Sequence, residues 1–181
     1  MIKVLKDKIV EKSLIGIRTF YQEWDEVIIG FIRSIEGNNL ILVEIDEYGK
    51  TLGETIIEIA DILSIEFDDK YQKKLKSIQE NSDLFDSINQ VTIWNKAKEL
   101  KIVILELIKK DIIATLFFDE DFFITGKILE YQDNYLLVNN ITSSGEDDGY
   151  SIHLVDKLIG IRYNGKEELK IRFLLENVKA K

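Results

Sequence analysis

Apolar residues in this chain recur mainly at alternate positions and in short runs, the period of half-buried strands rather than of helices. Ser13 to Tyr21 carries Ile15 and Ile17 on one face, and Val27 to Ile35 follows after a polar turn at 22–26. Gly30 interrupts that second run, as a glycine does where a strand bulges or turns a corner. Gly37-Asn38-Asn39 predicts a tight hairpin, because both residue types accept positive φ. Leu40–Ile45, Thr55–Ile59 and Leu63–Phe67 complete five short strands, with a loop over Asp46–Gly53. The order returns later as Ile112–Phe118, Phe122–Tyr131, Tyr135–Ile141, Tyr150–Val155 and Leu158–Tyr163.

The stretch between has another texture. Tyr71, Leu75 and Ile78 stand at helical spacing, with Lys73, Lys74 and Lys76 read onto the opposite side. Asp83 is placed to cap a short helix carrying Leu84, Phe85 and Ile88. Ile93, Trp94, Ala97, Leu100, Ile104 and Leu107 suggest a third helix, although Ile102-Val103-Ile104-Leu105 suits a buried strand equally well. Residues 2–12 fit either a helix or a leading strand, and Lys166–Val178 predicts a C-terminal helix.

Laying Gly30 on Gly126 sets an offset of 96 positions with no gap. Ile17, Thr19, Asp25, Ile28, Ile32, Asn38, Leu40, Ile45, Gly49, Gly53, Ile56, Ile65, Lys70 and Lys74 then all fall on identical residues. Three glycines are among the matches, and glycine marks the positions where backbone geometry is most exacting. A tandem duplication of one β-rich unit accounts for this pattern. The expected organisation is a first small barrel at 1–68, a helical connector at 69–108, and a second barrel with a C-terminal helix at 109–181. The expected fold class is therefore mainly β with helical additions: two tandem five-stranded SH3-like or Sm-like barrels joined by a helical segment.

Composition narrows the chemistry. The 181 residues are 45% hydrophobic, enough for packed cores. With no cysteine there is no disulfide framework, thiolate metal site or cysteine nucleophile, which fits a reducing compartment. With no proline, every turn rests on Gly, Asn, Asp and Ser. The net charge of −9 argues against broad nucleic-acid binding and suits a basic partner. The start Met1-Ile2-Lys3-Val4-Leu5-Lys6-Asp7 lacks the apolar core of a secretory signal, and no run reaches the length of a membrane span. A cytoplasmic protein without a membrane partner is expected.

Candidate chemistry is sparse. His153 is the only histidine, and it overlays Ile57, a strand position. Ser143-Ser144-Gly145-Glu146-Asp147-Asp148-Gly149 gathers three carboxylates without the alternation of a calcium loop. No phosphate-binding glycine loop, dinucleotide fingerprint or nucleophile elbow is present, so no enzyme, metal or cofactor is expected. Trp24, Asp25 and Glu26, with Asp46, Glu47, Glu146, Asp147 and Asp148, form the acidic loops on which a protein partner is expected to dock.

From Val27 to Phe67 the chain resembles an Sm-like barrel: Gly30 leads through a turn to Asn39-Leu40, as a strand glycine in that family leads to an Asn-Leu pair. The likeness covers about 50 residues in each half. It implies RNA contact at Asn39, to which Lys70, Lys73, Lys74, Lys76 and Arg172 add the cationic positions. Tyr135 replaces that asparagine in the second unit, and the family's later Arg-Gly pair has no counterpart near Ala60-Asp61 or Asp156-Lys157. Gly145–Ile152 followed by Ile161–Lys166 is also similar to uncharacterised small proteins of low-GC Gram-positive bacteria, which bring no activity with them. The functional expectation is a non-catalytic interaction module, an adaptor or an immunity-like inhibitor of a basic protein. An Sm-like RNA-binding protein is the alternative, and pairing with a second copy is left open.

Overall fold

A computed structural model describes residues 2–20, 26–86, 89–94, 100–119, 121–132 and 134–177. The chain is mainly β, with two antiparallel sheets and four α-helices, and its contacts divide into two compact units, Met1–Ser82 and Asp83–Lys181.

The first unit opens with helix α1 (Ile2–Glu11), which resolves the open reading of residues 2–12 in favour of a helix. Five strands follow: β1 (Leu14–Thr19), β2 (Ile28–Glu36), β3 (Asn39–Ile45), β4 (Thr51–Glu58) and β5 (Ile62–Phe67). Helix α2 (Lys70–Gln79) closes the unit. The strand order is β4-β3-β2-β1-β5. Only a 3-10 turn, Ile59–Asp61, joins the two edge strands β4 and β5. Four flat inter-strand steps would separate those edges by about 19 Å. The four peptide units from Glu58 to Ile62 span at most about 14 Å, so the sheet must curl strongly. No ladder joins β4 to β5 among the described residues, and the sheet is open at that seam.

The second unit contains β6 (Val91–Trp94), helix α3 (Leu100–Lys110), β7 (Ile113–Phe117), β8 (Phe123–Gln132), β9 (Tyr135–Ile141), β10 (Asp147–Leu154), β11 (Gly160–Tyr163) and helix α4 (Lys166–Asn177). Its order, β10-β9-β8-β7-β11-β6, repeats that of the first sheet and adds one strand beyond β11.

The ladders correspond residue for residue. Gly30 pairs with Glu44 and Gly126 with Asn140; Asn39 pairs with Glu58 and Tyr135 with Leu154. Both second strands bulge at the same step, at Arg33 and at Leu129. Of the bulge or corner expected at Gly30, the bulge lies three residues later. Gly30 and Gly126 serve close approach instead: an added Cβ would overlap the carbonyl oxygen of Val43 or of Asn139. The gapless overlay fails at the first strand. Gly30 faces Ile15 and Gly126 faces Ala114, which stand 99 positions apart, because the β1–β2 loop is three residues longer than its counterpart. The sequence matches at Ile17 and Thr19 thus lie outside the structural register, and Asp25 lies outside the described residues.

Each sheet carries a core on each face. Leu5 of α1 packs with Ile15, Ile17, Ile32, Leu40, Leu42, Ile57 and Ile62. On the other face Leu75 of α2 meets Leu14 and Ile45. In the second unit Leu100, Ile104 and Leu107 of α3 pack with Leu116, Ile128, Leu136 and Leu158, while Ile171 of α4 meets Ile113 and Ile141. One helix before the five corresponding strands and one after them cover opposite faces in both units.

The segment read as a helical connector, 69–108, is not one element. Helix α2 belongs with the first unit, and the chain from Asp83 onward belongs with the second. Ser82–Phe85 is a single 3-10 turn in place of a second helix, and Ile88 lies outside the described residues. Ile93 and Trp94, assigned to the third helix, lie in β6, paired antiparallel with β11; Ala97 lies outside the described residues. The ambiguous run 102–105 is helical, with Ile104 buried and Ile102 and Leu105 facing solvent.

Candidate functional site

A groove of about 360 Å³ lies in the first unit, where the start of β2, the end of β3 and the first turns of α2 converge. Asp69 positions α2 by accepting a 2.7 Å hydrogen bond from the Gln72 backbone N–H. Asp68 holds φ +61° just before it and turns the chain out of β5. That entry angle sends Leu75 down onto Leu14 and Ile45 and leaves Tyr71 half-exposed at the rim. Gly49, at φ +75°, lies so close to the Gln79 backbone that no side chain fits between them, which fixes the β3–β4 loop against the end of α2.

The groove has apolar walls and acidic flanks. Ile29, Ile45 and Leu75 form its base, and Leu52 and Tyr71 stand exposed above it. Glu26 and Glu44 border it. The Thr55 hydroxyl donates to Glu44 Oε1 and orients that carboxylate, while Arg18 Nη1 reaches the Glu26 carbonyl at 3.4 Å. A long cationic side chain suits this arrangement, its stem against Leu52 and Tyr71 and its head between the carboxylates. The second unit keeps the ladders but replaces this lining: Asn140 stands for Glu44, Asp148 for Leu52 and Glu167 for Tyr71.

Of the residues singled out from the sequence for protein binding, Glu26 borders the groove. Trp24 and Asp25 lie outside the described residues. Asp46 Oδ1 accepts from the Tyr48 and Lys50 backbone N–H groups, and so shapes its own turn; Glu47 beside it is exposed. Asp147 accepts from Asn139 Nδ2 and from the Gly149 N–H, and Asp148 is exposed. Glu146 sits half-buried in the same loop, where its backbone N–H donates to Thr142 Oγ1. Among the described residues no group of three His, Cys, Asp or Glu is placed to hold a metal ion. Glu44, Leu52 and Tyr71 were not singled out. The available signal was Tyr71 at helical spacing with Leu75, which reads as core rather than rim.

The residues of the RNA reading fall on separate elements. Asn39 is exposed, but its ladder partners on either side are Glu36 and Glu58, a poor setting for a phosphate. Lys70, Lys73 and Lys76 are exposed on α2, whereas Lys74 is buried, a correction to its expected place on the solvent side. Arg172 lies on α4 in the other unit and pairs with Glu176 at 2.8 Å.

His153 Nε2 lies 2.7 Å from Ser151 Oγ, a spacing that invites comparison with a nucleophile and its base. The hydrogen bonding runs the wrong way for that role. Ser151 Oγ lies 2.8 Å from Asn140 Oδ1, which can only accept, so the serine gives its proton there. His153 Nε2 then donates to Ser151, so the ring does not act as the base for that hydroxyl. The ring stacks on Phe118 at 4.7 Å, and burial lowers its pKa.

Comparison of the chain with protein-family models, with curated proteins and with solved structures finds no match. Among the described residues, no helix is long and apolar enough to cross a membrane.

Proposed function

We propose that this chain is a non-catalytic protein-interaction module built from two tandem small barrels of the SH3-like or Sm-like kind, and that its first unit binds a basic protein partner. The repeated ladder registers and the short 3-10 turn between the edge strands support the barrel reading. One observation carries the binding reading: an apolar groove with exposed Leu52 and Tyr71 is flanked by Glu26 and Glu44. Exposed apolar surface beside carboxylates recognises lysine or arginine side chains through both stem and head. An adaptor, or an inhibitor that covers a basic surface, uses this chemistry.

Affinity capture from native extract tests it. The wild-type chain is expected to retain one stoichiometric basic protein. Glu26→Lys combined with Glu44→Gln is expected to weaken that binding at least about tenfold, since charge-assisted contacts contribute roughly 1.5–3 kcal/mol each. Recovery of RNA alone, or equal retention by the double variant, overturns the proposal.

A further inference from the structure

The two sheets end on corresponding edge strands, β4 and β10, and these edges differ in one respect that decides whether they can meet a copy of themselves. Strand β4 carries Glu54 and Glu58 among its exposed residues. Strand β10 carries no charge from Gly149 to Leu154. Its alternate residues Tyr150, Ile152 and Leu154 are at least half exposed, at 68%, 67% and 50%. Charges, prolines and covering elements are the usual means by which an edge avoids pairing with another chain. Between Tyr150 and Leu154 there is no charged residue and no proline, and no strand pairs with the outer edge of β10 among the described residues.

We infer that β10 is a self-association edge, pairing antiparallel with β10 of a second copy about a two-fold axis at Ile152. The sequence around that axis is self-complementary. Ile152 falls opposite itself, Tyr150 opposite Leu154 of the partner subunit, and Ser151 opposite His153 of the partner subunit. Aromatic–aliphatic pairs of this kind stabilise antiparallel ladders. The same operation on β4 about Ile56 sets Glu54 against Glu58, two like charges directly opposed. The register has natural limits, because Asp148 would meet Asp156, where the chain has already left the strand for the Val155–Lys157 turn. Leu137, the ladder partner of Ile152, and Leu129 on the next strand extend the apolar surface behind the seam. The surface is isologous, as a closed two-fold dimer requires.

Sedimentation velocity of the full chain, with amide hydrogen exchange, tests this. The wild type is expected to sediment with twice the mass of its 21.0 kDa chain, and exchange within residues 149–155 is expected to slow as concentration rises. Ile152→Lys is expected to give a monomer with an unchanged far-UV circular dichroism spectrum. Ile56→Lys, at the matching position of β4, is expected to remain dimeric. A wild type that stays monomeric at millimolar concentration overturns the inference. So does a dimer that survives Ile152→Lys, one that Ile56→Lys dissociates equally, or exchange in β10 that is insensitive to concentration.

Discussion

Ile57 and His153 occupy the same ladder position, opposite Leu40 in one sheet and opposite Leu136 in the other. Ile57 is buried in its core, while His153 is half-buried against Phe118 and Phe122. Desolvation disfavours the imidazolium and sets the folded pKa below the ordinary value of 6.5. Protonation therefore favours the unfolded chain. The contribution of this site to stability is complete above the unfolded pKa and declines as pH falls through it toward the folded one. Restoring the first unit's residue with His153→Ile is expected to raise the melting temperature more at about pH 5 than at about pH 8. Thermal denaturation across that range checks it, and a pH-independent difference would show that His153 titrates alike in both states. The ladder position of His153 was legible from the overlay on Ile57. Its hydrogen bond to Ser151 was not, because a side chain's partner depends on tertiary register.

At the scale of elements, helices α2 and α4 dock on equivalent sheet faces through one buried position, Gln72 or Glu168. Gln72 donates to the Glu66 carbonyl at 3.0 Å, and its Oε1 has no hydrogen-bond partner. Glu168 is 2% exposed and gathers the Arg162 Nε and Gly165 backbone N–H groups, each at 2.9 Å, together with the Thr115 hydroxyl. Thr115 matches Gly16, where an added Cβ would lie 3.2 Å from Gln72 Nε2, so the two docking sites use different pairs of residues. Glu168→Ala would strand a half-buried guanidinium and a helix-capping N–H, and is expected to cost about 3–5 kcal/mol. Gln72→Ala removes one neutral hydrogen bond and is expected to cost about 1 kcal/mol. Chemical denaturation of the two variants checks the ordering. The helices were legible from periodicity, but the strand β6 was not. Val91-Thr92-Ile93-Trp94 merges with the helical spacing of the residues after it, and only pairing with β11 makes it a strand.

At the scale of the molecule, each unit carries a core of its own among the described residues: Leu5 to Ile62 form one, and Leu100 to Ile161 form another. A fragment of residues 83–181 is therefore expected to fold alone, with a sigmoidal thermal transition and dispersed amide resonances. A molten fragment would show that its core depends on the first unit. Sequence alone determined the two β-rich segments, their glycine positions and most of the strand limits, because alternation and turn chemistry are local and the repeat supplied an internal comparison. Tertiary structure decided the three-residue slip at the first strand, the assignment of α2 and β6 to different units, the burial of Lys74 and the groove beneath Tyr71. Each of these depends on which distant backbone lies alongside, and a curled sheet brings together residues that no short-range period connects.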